Sequence, residues 1–230
     1  MNANNPENKI HITQQELVHI LEVREQERQR LIAINKRDSL PVLTDLAEAG
    51  FHLEWIEDLY SKQLNYKDAI PILLRWLPQI DNLAVKEGIV RALSVSWAKP
   101  VAAQPLIIEF RKLRNESNTG IKWAIANALS VVADDSVYTE ILNLVQDPGH
   151  GSARQMLAIS LGSMKNPAAQ DVLIDLLSED EVAGHAIMAL GKLRSTKART
   201  AIERFLTHPK SWVRREAKKA IARIDKSKGE

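Results

Sequence analysis

One ten-residue pattern returns five times along this 230-residue chain, and no other feature limits the possible folds as much. It reads VKEGIVRALS at Val85–Ser94, IKWAIANALS at Ile121–Ser130 and ARQMLAISLG at Ala153–Gly162. It returns as VAGHAIMALG at Val182–Gly191 and VRREAKKAIA at Val213–Ala222. The ninth position is Leu93, Leu129, Leu161, Leu190 and Ile221, in steps of 36, 32, 29 and 31 residues. Apolar residues hold positions one, five and nine, with Ala or Ser at position eight. That is an i, i+4, i+8 helical stripe with a small residue where a second helix must come close.

A second helix precedes each copy: DAIPILLRWL from Asp68, AAQPLIIEF from Ala102, VYTEILNLV from Val137, AQDVLIDLL from Ala169 and ARTAIERFL from Ala198. Turn signals follow them at Asp81-Asn82, Asn115–Asn118, Asp147–Gly151, Ser178–Asp180 and His208-Pro209. Each unit therefore reads helix A, turn, helix B, turn. Neither helix buries its stripe alone, so neighbouring units must stack into one continuous core. The expectation is an all-α fold, an α-solenoid of about five helix pairs. Composition agrees, since 9 Gly and 9 Pro are too few for the many tight turns of a β-sandwich.

These units resemble HEAT repeats, in particular the short phycobilisome-lyase-type HEAT-like units of bacteria, whose helix B commonly reads V-R-x-x-A-x-x-A-L-G. Ala189-Leu190-Gly191 and Val213-Arg214-Arg215-Glu216-Ala217 carry the match, and Lys86, Lys122 and Arg154 hold the basic second position. The resemblance covers about Tyr66 to Ile224. It implies a concave face lined by the B helices, and it implies little about activity, because such repeats scaffold unrelated functions.

Before Tyr66 the pattern stops. Thr13-Gln14-Gln15-Glu16 is a capping box that should open a helix running to about Asn35, its polar middle held by Glu25–Arg28 and Glu27–Arg30 pairs. Leu17, Ile20, Leu21, Leu31 and Ile34 supply apolar patches at its two ends. A second helix near Pro41–Ala49 should stop at Gly50, and a third should run from about Leu53 to Leu64. The organisation expected is a disordered segment at 1–12, a helical cap at 13–65, the solenoid at 66–225 and a disordered tail at 226–230. The first helix could instead be an arm that grips a partner.

Positions three and seven of the pattern lie one turn apart and point away from the core stripe. They hold Glu87 and Arg91, Trp123 and Asn127, Gln155 and Ile159, Gly184 and Met188, then Arg215 and Lys219. A fully solvated face would not carry Trp123, Ile159 and Met188. Such a ridge suits a protein partner, with Trp123 as anchor and Glu87, Arg91, Asn127, Gln155, Ile159 and Met188 around it. The same large residues could instead pack against the next unit. A nucleic-acid reading also stands. Ser195–Glu230 carries a net charge of +7 against −5 for the rest, and Arg214, Arg215, Lys218 and Lys219 could hold phosphates, with Lys197, Arg199, Arg204 and Lys210 beside them. A polar cap on the last unit would account for the same residues.

Enzyme chemistry finds little support. HEAT-like alkylpurine DNA glycosylases place an aromatic residue and an essential Asp together in their groove. Here Asn127 follows Trp123 by one turn and cannot supply the charge that a cationic sugar needs. The histidines form no metal-binding pair, Gly149-His150-Gly151 is far from a phosphate loop, and no nucleophile elbow or Walker motif is present. The chain has no cysteine. The expected activity is non-catalytic binding of another protein, as adaptor, assembly factor or immunity protein. No cofactor and no metal are expected. A bilin lyase-like chaperone is a further alternative, suggested only by the name of the repeat type. The start, MNANNPENK, lacks a signal-peptide pattern and no apolar run spans a membrane, so a cytoplasmic location is expected.

Overall fold

The computed structural model describes residues 13–113 and 119–226. The expected disorder at 1–12, the turn at Asn115–Asn118 and all of the expected tail but Lys226 lie outside them. The described residues contain twelve α-helices and no strand. The first is α1, Gln14–Glu48, followed by one short turn of helix, α2, at Asp58–Ser61. Five A/B pairs follow: α3 Ile70–Trp76 with α4 Leu83–Ala92, then α5 Ala103–Lys112 with α6 Thr119–Val132. Next come α7 Tyr138–Gln146 with α8 Ala153–Leu161, and α9 Ala169–Asp175 with α10 Ala183–Lys192. The last pair is α11 Arg199–Glu203 with α12 Ser211–Lys226. The all-α solenoid read from the pattern is the fold.

The repeat positions explain how the units stack. Positions one, five and nine of every B helix are buried, apart from the half-buried Ile221, and so is the small residue at position eight. Each B helix packs on the next one, and more closely than consecutive A helices approach each other. The small residues make this possible. A Cβ on Gly162 would stand 2.7 Å from the Ala189 Cα, and one on Gly191 would stand 2.8 Å from the Ala220 Cα. A stack packed tighter on one side curves toward that side, so the B helices form its inner layer.

The second position of the pattern is not solvated. Lys86, Lys122 and Arg154 are buried. Lys86 Nζ donates to Glu109 Oε2 at 2.6 Å, tying α4 to the next A helix. Arg154 donates to the Val145 carbonyl at 2.6 Å and makes a two-pronged bond to Glu179 at 2.5 and 2.8 Å. Lys122 sits 5.3 Å above the Phe110 ring, and His150 meets the edge of the same ring. These basic residues brace one unit against its neighbours.

The N-terminal region departs from expectation in two places. The expected break between Asn35 and Pro41 is absent, and one 35-residue helix runs through Pro41. Proline removes one backbone bond, but the turns around it are anchored to the first unit. Val42 and Leu46 are fully buried, Asp45 bonds Arg75 and Trp76, and Asn82 donates to Asn35 and Asp38 at 2.9 Å each. The capping box at Thr13–Glu16 opens this helix, and Gly50, at φ +90°, closes it. The Phe51 amide donates to the Leu46 carbonyl and the Gly50 amide to that of Ala47, a complete Schellman stop. The expected third helix shrinks to Asp58–Ser61, because the Asp58 carboxylate takes the Glu54 and Trp55 amides and holds them in a turn. The bonds from α1 to the rest of the fold begin at Asn35. Residues 13–31 are exposed, apart from the half-buried Ile20.

Candidate functional site

The inner face is built by positions three and seven of consecutive B helices. Along it, Glu87, Trp123, Asn127, Gln155 and Ile159 are half-buried and Met188 is exposed, while Gly184 is buried. The ridge is thus accessible through the middle of the solenoid, and it is not uniform from end to end.

At its start the ridge is closed. Arg91 and Glu87 are bonded to each other at 2.6 Å, and the Glu57 carboxylate lies over Gly88, where a Cβ would fall 2.8 Å from Oε1. The segment around α2 therefore covers the inner face of the first unit. Burial pushes the Tyr60 hydroxyl above its ordinary range, with Glu57 and Glu87 adding to the shift and Arg91 opposing it. Sequence periodicity could not show this cover, since α2 lies outside the repeat.

In the middle, Trp123 and Asn127 on α6 stand beside Gln155 and Ile159 on α8. The Gln155 amide donates to the Glu181 carbonyl at 3.1 Å, so it holds the turn before α10 as well as lining the face. The Ser130 hydroxyl donates to the Asn127 backbone carbonyl at 2.7 Å, and the Asn127 side-chain amide makes no bond among the described residues. Trp123, Asn127, Ile159 and Met188 make a partly apolar strip with one free amide.

The far end differs again. A Cβ on Gly184 would fall 2.1 Å from the Trp212 ring, so this glycine is the seat of Trp212, which packs between units. His185 lies 5.4 Å from the same ring; it is half-buried, its Nδ1 has no partner among the described residues, and burial lowers its pKa. His150 sits in a 3₁₀ turn against Phe110, not in an open anion-binding loop. Its pKa is lowered by burial and by Lys122 and Arg154, against the pull of Asp147.

The basic terminal stretch is largely occupied. Arg214 donates to the His208 and Pro209 carbonyls at 2.6 and 2.8 Å and clasps its own turn. Arg215 and Lys219 share Glu216, whose carboxyl burial pushes up but whose two cationic neighbours hold below its ordinary value. Lys197 pairs with Asp171, Arg199 with Asp225 and Glu203, and Arg204 with the Leu177 carbonyl. Lys210 and Lys218 are exposed and make no side-chain bond among the described residues. Six of the eight cations thus already hold a carboxylate or a carbonyl. No cluster of metal-ligating side chains occurs among the described residues, and no helix among them is long and apolar enough to cross a membrane.

Comparison with known proteins agrees with the geometry at the level of the repeat. No curated protein sequence matches the chain. A family model described as HEAT repeats matches residues 178–229, which span α10, α11 and α12. The matched units are HEAT repeats, and the tight B-helix stacking continues from them back to α4.

Proposed function

We infer that this chain is a non-catalytic adaptor that binds another protein along the inner face of its B helices. HEAT repeats are in general protein-binding or scaffold modules. The observation that carries the reading is the accessible strip of Trp123, Asn127, Ile159 and Met188, whose large apolar side chains stand where a solvated face would have none. An aromatic anchor with a polar neighbour is the composition of an interface centre. The protein partner is preferred over nucleic acid because most cations of the terminal stretch already hold carboxylates or carbonyls. A cytoplasmic adaptor, assembly factor or immunity role would suit such a module.

The test is affinity capture from native lysate with wild type, Trp123→Ala and Lys218→Glu side by side. Loss of a defined protein partner with Trp123→Ala alone supports the inner face, and an anchor of this kind contributes about 2 kcal/mol or more. Equal recovery by all three overturns it. Recovery of nucleic acid lost with Lys218→Glu and weakening steeply with salt would establish the other reading.

A further inference from the structure

From Gln14 to Leu31, α1 stands off the solenoid as a helical arm, and every apolar residue on it except the half-buried Ile20 is exposed. Leu17, Leu21 and Leu31 are each about half exposed, at 48%, 54% and 50%. Taken at a spacing of three and four, Leu17, Ile20, Arg24, Glu27, Leu31 and Ile34 form one a/d stripe along the arm. The solenoid grips α1 along Asn35, Ser39, Val42 and Leu46, a line turned about 50° from Leu31 and about 110° from Ile34 at 3.6 residues per turn. The stripe is exposed at Leu17, Arg24, Glu27 and Leu31 and half-buried at Ile20 and Ile34.

The order of residues within the stripe identifies its occupant. Apolar residues sit at both ends, and one cation and one anion sit side by side in the middle. When two such helices run antiparallel about a point between Glu25 and Gln26, each a residue faces a d residue of the other copy. Leu17 then faces the partner's Ile34, Ile20 faces the partner's Leu31, and Arg24 faces the partner's Glu27. The second half repeats these pairs by symmetry, as a two-fold interface requires. The nearest alternatives set like charges together or bury them against apolar residues. Parallel in-register pairing sets Arg24 on Arg24 and Glu27 on Glu27. A slip of one heptad in either direction sets both charges on leucine or isoleucine. Arg24 has no ion-pair partner among the described residues, and Glu27 meets only the exposed Arg30, at 3.6 Å. Two more features favour pairing. The arm is already helical in the single chain, so little ordering cost falls on association. In this register the partner's Thr13 falls opposite Asp38, beside a cavity of about 270 Å³ lined by Asn35, Ser39, Trp55 and Val85.

We propose that this protein is a homodimer joined by an antiparallel coiled coil of its projecting α1 arms, with Arg24–Glu27 pairs across the two-fold axis setting the register. The two solenoids would then stand at opposite ends of the paired arms, leaving both inner faces free. Six layers make a short coil, smaller than a standard interface of about 1,600 Å², so the dimer is expected to dissociate in the micromolar range.

Sedimentation equilibrium of the full chain, from about 1 to 200 μM, reads this directly. The expected result is a monomer–dimer equilibrium for wild type and a dissociation constant raised about tenfold or more by Arg24→Glu or by Glu27→Arg, through like charges at the axis. The double variant Arg24→Glu/Glu27→Arg should return to the wild-type value, and so should a mixture of the two single variants. Orientation is read by disulfide trapping, which the absence of native cysteine makes clean. Leu17→Cys/Ile34→Cys should cross-link two chains under oxidised glutathione, whereas Leu17→Cys alone should not, its twin lying about 26 Å away at 1.5 Å per residue. A monomer throughout the range overturns the proposal. So does a dimer indifferent to both charge reversals, or one that Leu17→Cys alone cross-links.

Discussion

Glu109 is the most informative residue to change, because it separates bracing from surface charge within a single carboxylate. It is 2% exposed on α5 and accepts from Lys86 and Lys112 at 2.6 Å each. The two lysines differ in burial: the Lys86 side chain is 10% exposed and that of Lys112 is 53% exposed. Glu109→Ala leaves the Lys86 ammonium buried with no carboxylate, a loss of about 3–5 kcal/mol. Lys112→Ala removes only an exposed partner and should cost at most about 1 kcal/mol. Lys86→Met/Glu109→Leu removes both buried charges together and should recover most of the loss, since an apolar pair of similar volume replaces an ionic one at little cost. Urea unfolding followed by far-UV circular dichroism gives the free energies. Tryptophan emission, from Trp76 and Trp97 near this unit, checks that the array unfolds as one body, which a repeat array need not do. A pH series adds a sign. Burial pushes the Glu109 carboxyl up, but its two lysine partners outweigh that and hold it below its ordinary value. Its folded pKa is thus below its unfolded one, so its stability is present above the ordinary carboxylate range and lost as pH falls through the folded value. A Glu109→Ala cost under about 1 kcal/mol, or a double variant as unstable as the single, would refute the bracing role.

The other expectations rest on separate features. Gly191→Val should destabilise by about 1–3 kcal/mol in thermal unfolding, because its Cβ would fall within 2.8 Å of Ala220, whereas Gly120→Ala, with open space around it, should be neutral or slightly stabilising. Pro41→Ala restores the missing amide in the interior of α1 and should raise stability by about 1–3 kcal/mol, read in the same melts. His150 and His185 have folded pKa values below the 6.5 of a free imidazole, so stability should decline as pH falls below about 6.5. Replacing both by Phe should flatten that decline in a pH series of urea midpoints.

The solenoid was legible because its signal is redundant. Five copies of a 3.6-period stripe with a small residue at position eight leave no second fold that buries them all. The N-terminal region carries no such redundancy, and local rules misled there. By local rules Pro41 marks a helix boundary, yet Asp45, Asn35 and Asp38 hold α1 to Arg75, Trp76 and Asn82, 30 to 47 residues away, and that packing outweighs one lost backbone bond. The helix expected at Leu53–Leu64 failed for the opposite reason: Asp58 finds nearby amides and makes a turn with them. In the candidate site, periodicity placed the ridge residues on one face. It could not tell which of them other chain segments close, as Glu57 closes the first unit.

One kind of closure does leave a trace in the sequence. Lys86 meets Glu109 across 23 residues, Arg154 meets Glu179 across 25, and Lys197 meets Asp171 across 26, each shorter than the repeat steps of 29 to 36 residues. A cation in one unit and an acid at that distance are therefore neighbours in any solenoid of this pitch, much as residues four apart are neighbours on a helix. This changes the meaning of the charge asymmetry. The terminal stretch carries +7 and the rest −5, which in an extended chain would be a basic tail seeking a polyanion. Stacked at this pitch, part of the basic end folds back on the unit before it. Lys197 reaches Asp171 and Arg204 reaches the Leu177 carbonyl, so charge that the sequence separates is partly spent on holding the last unit to its neighbour. Asp171→Asn should then do two things at once: loosen the last pair by at most about 1 kcal/mol, as an exposed ion pair allows, and free Lys197 for anions. A rise in heparin affinity with that variant, absent when Lys197→Gln is added, would measure how much of the apparent basic field the fold itself consumes.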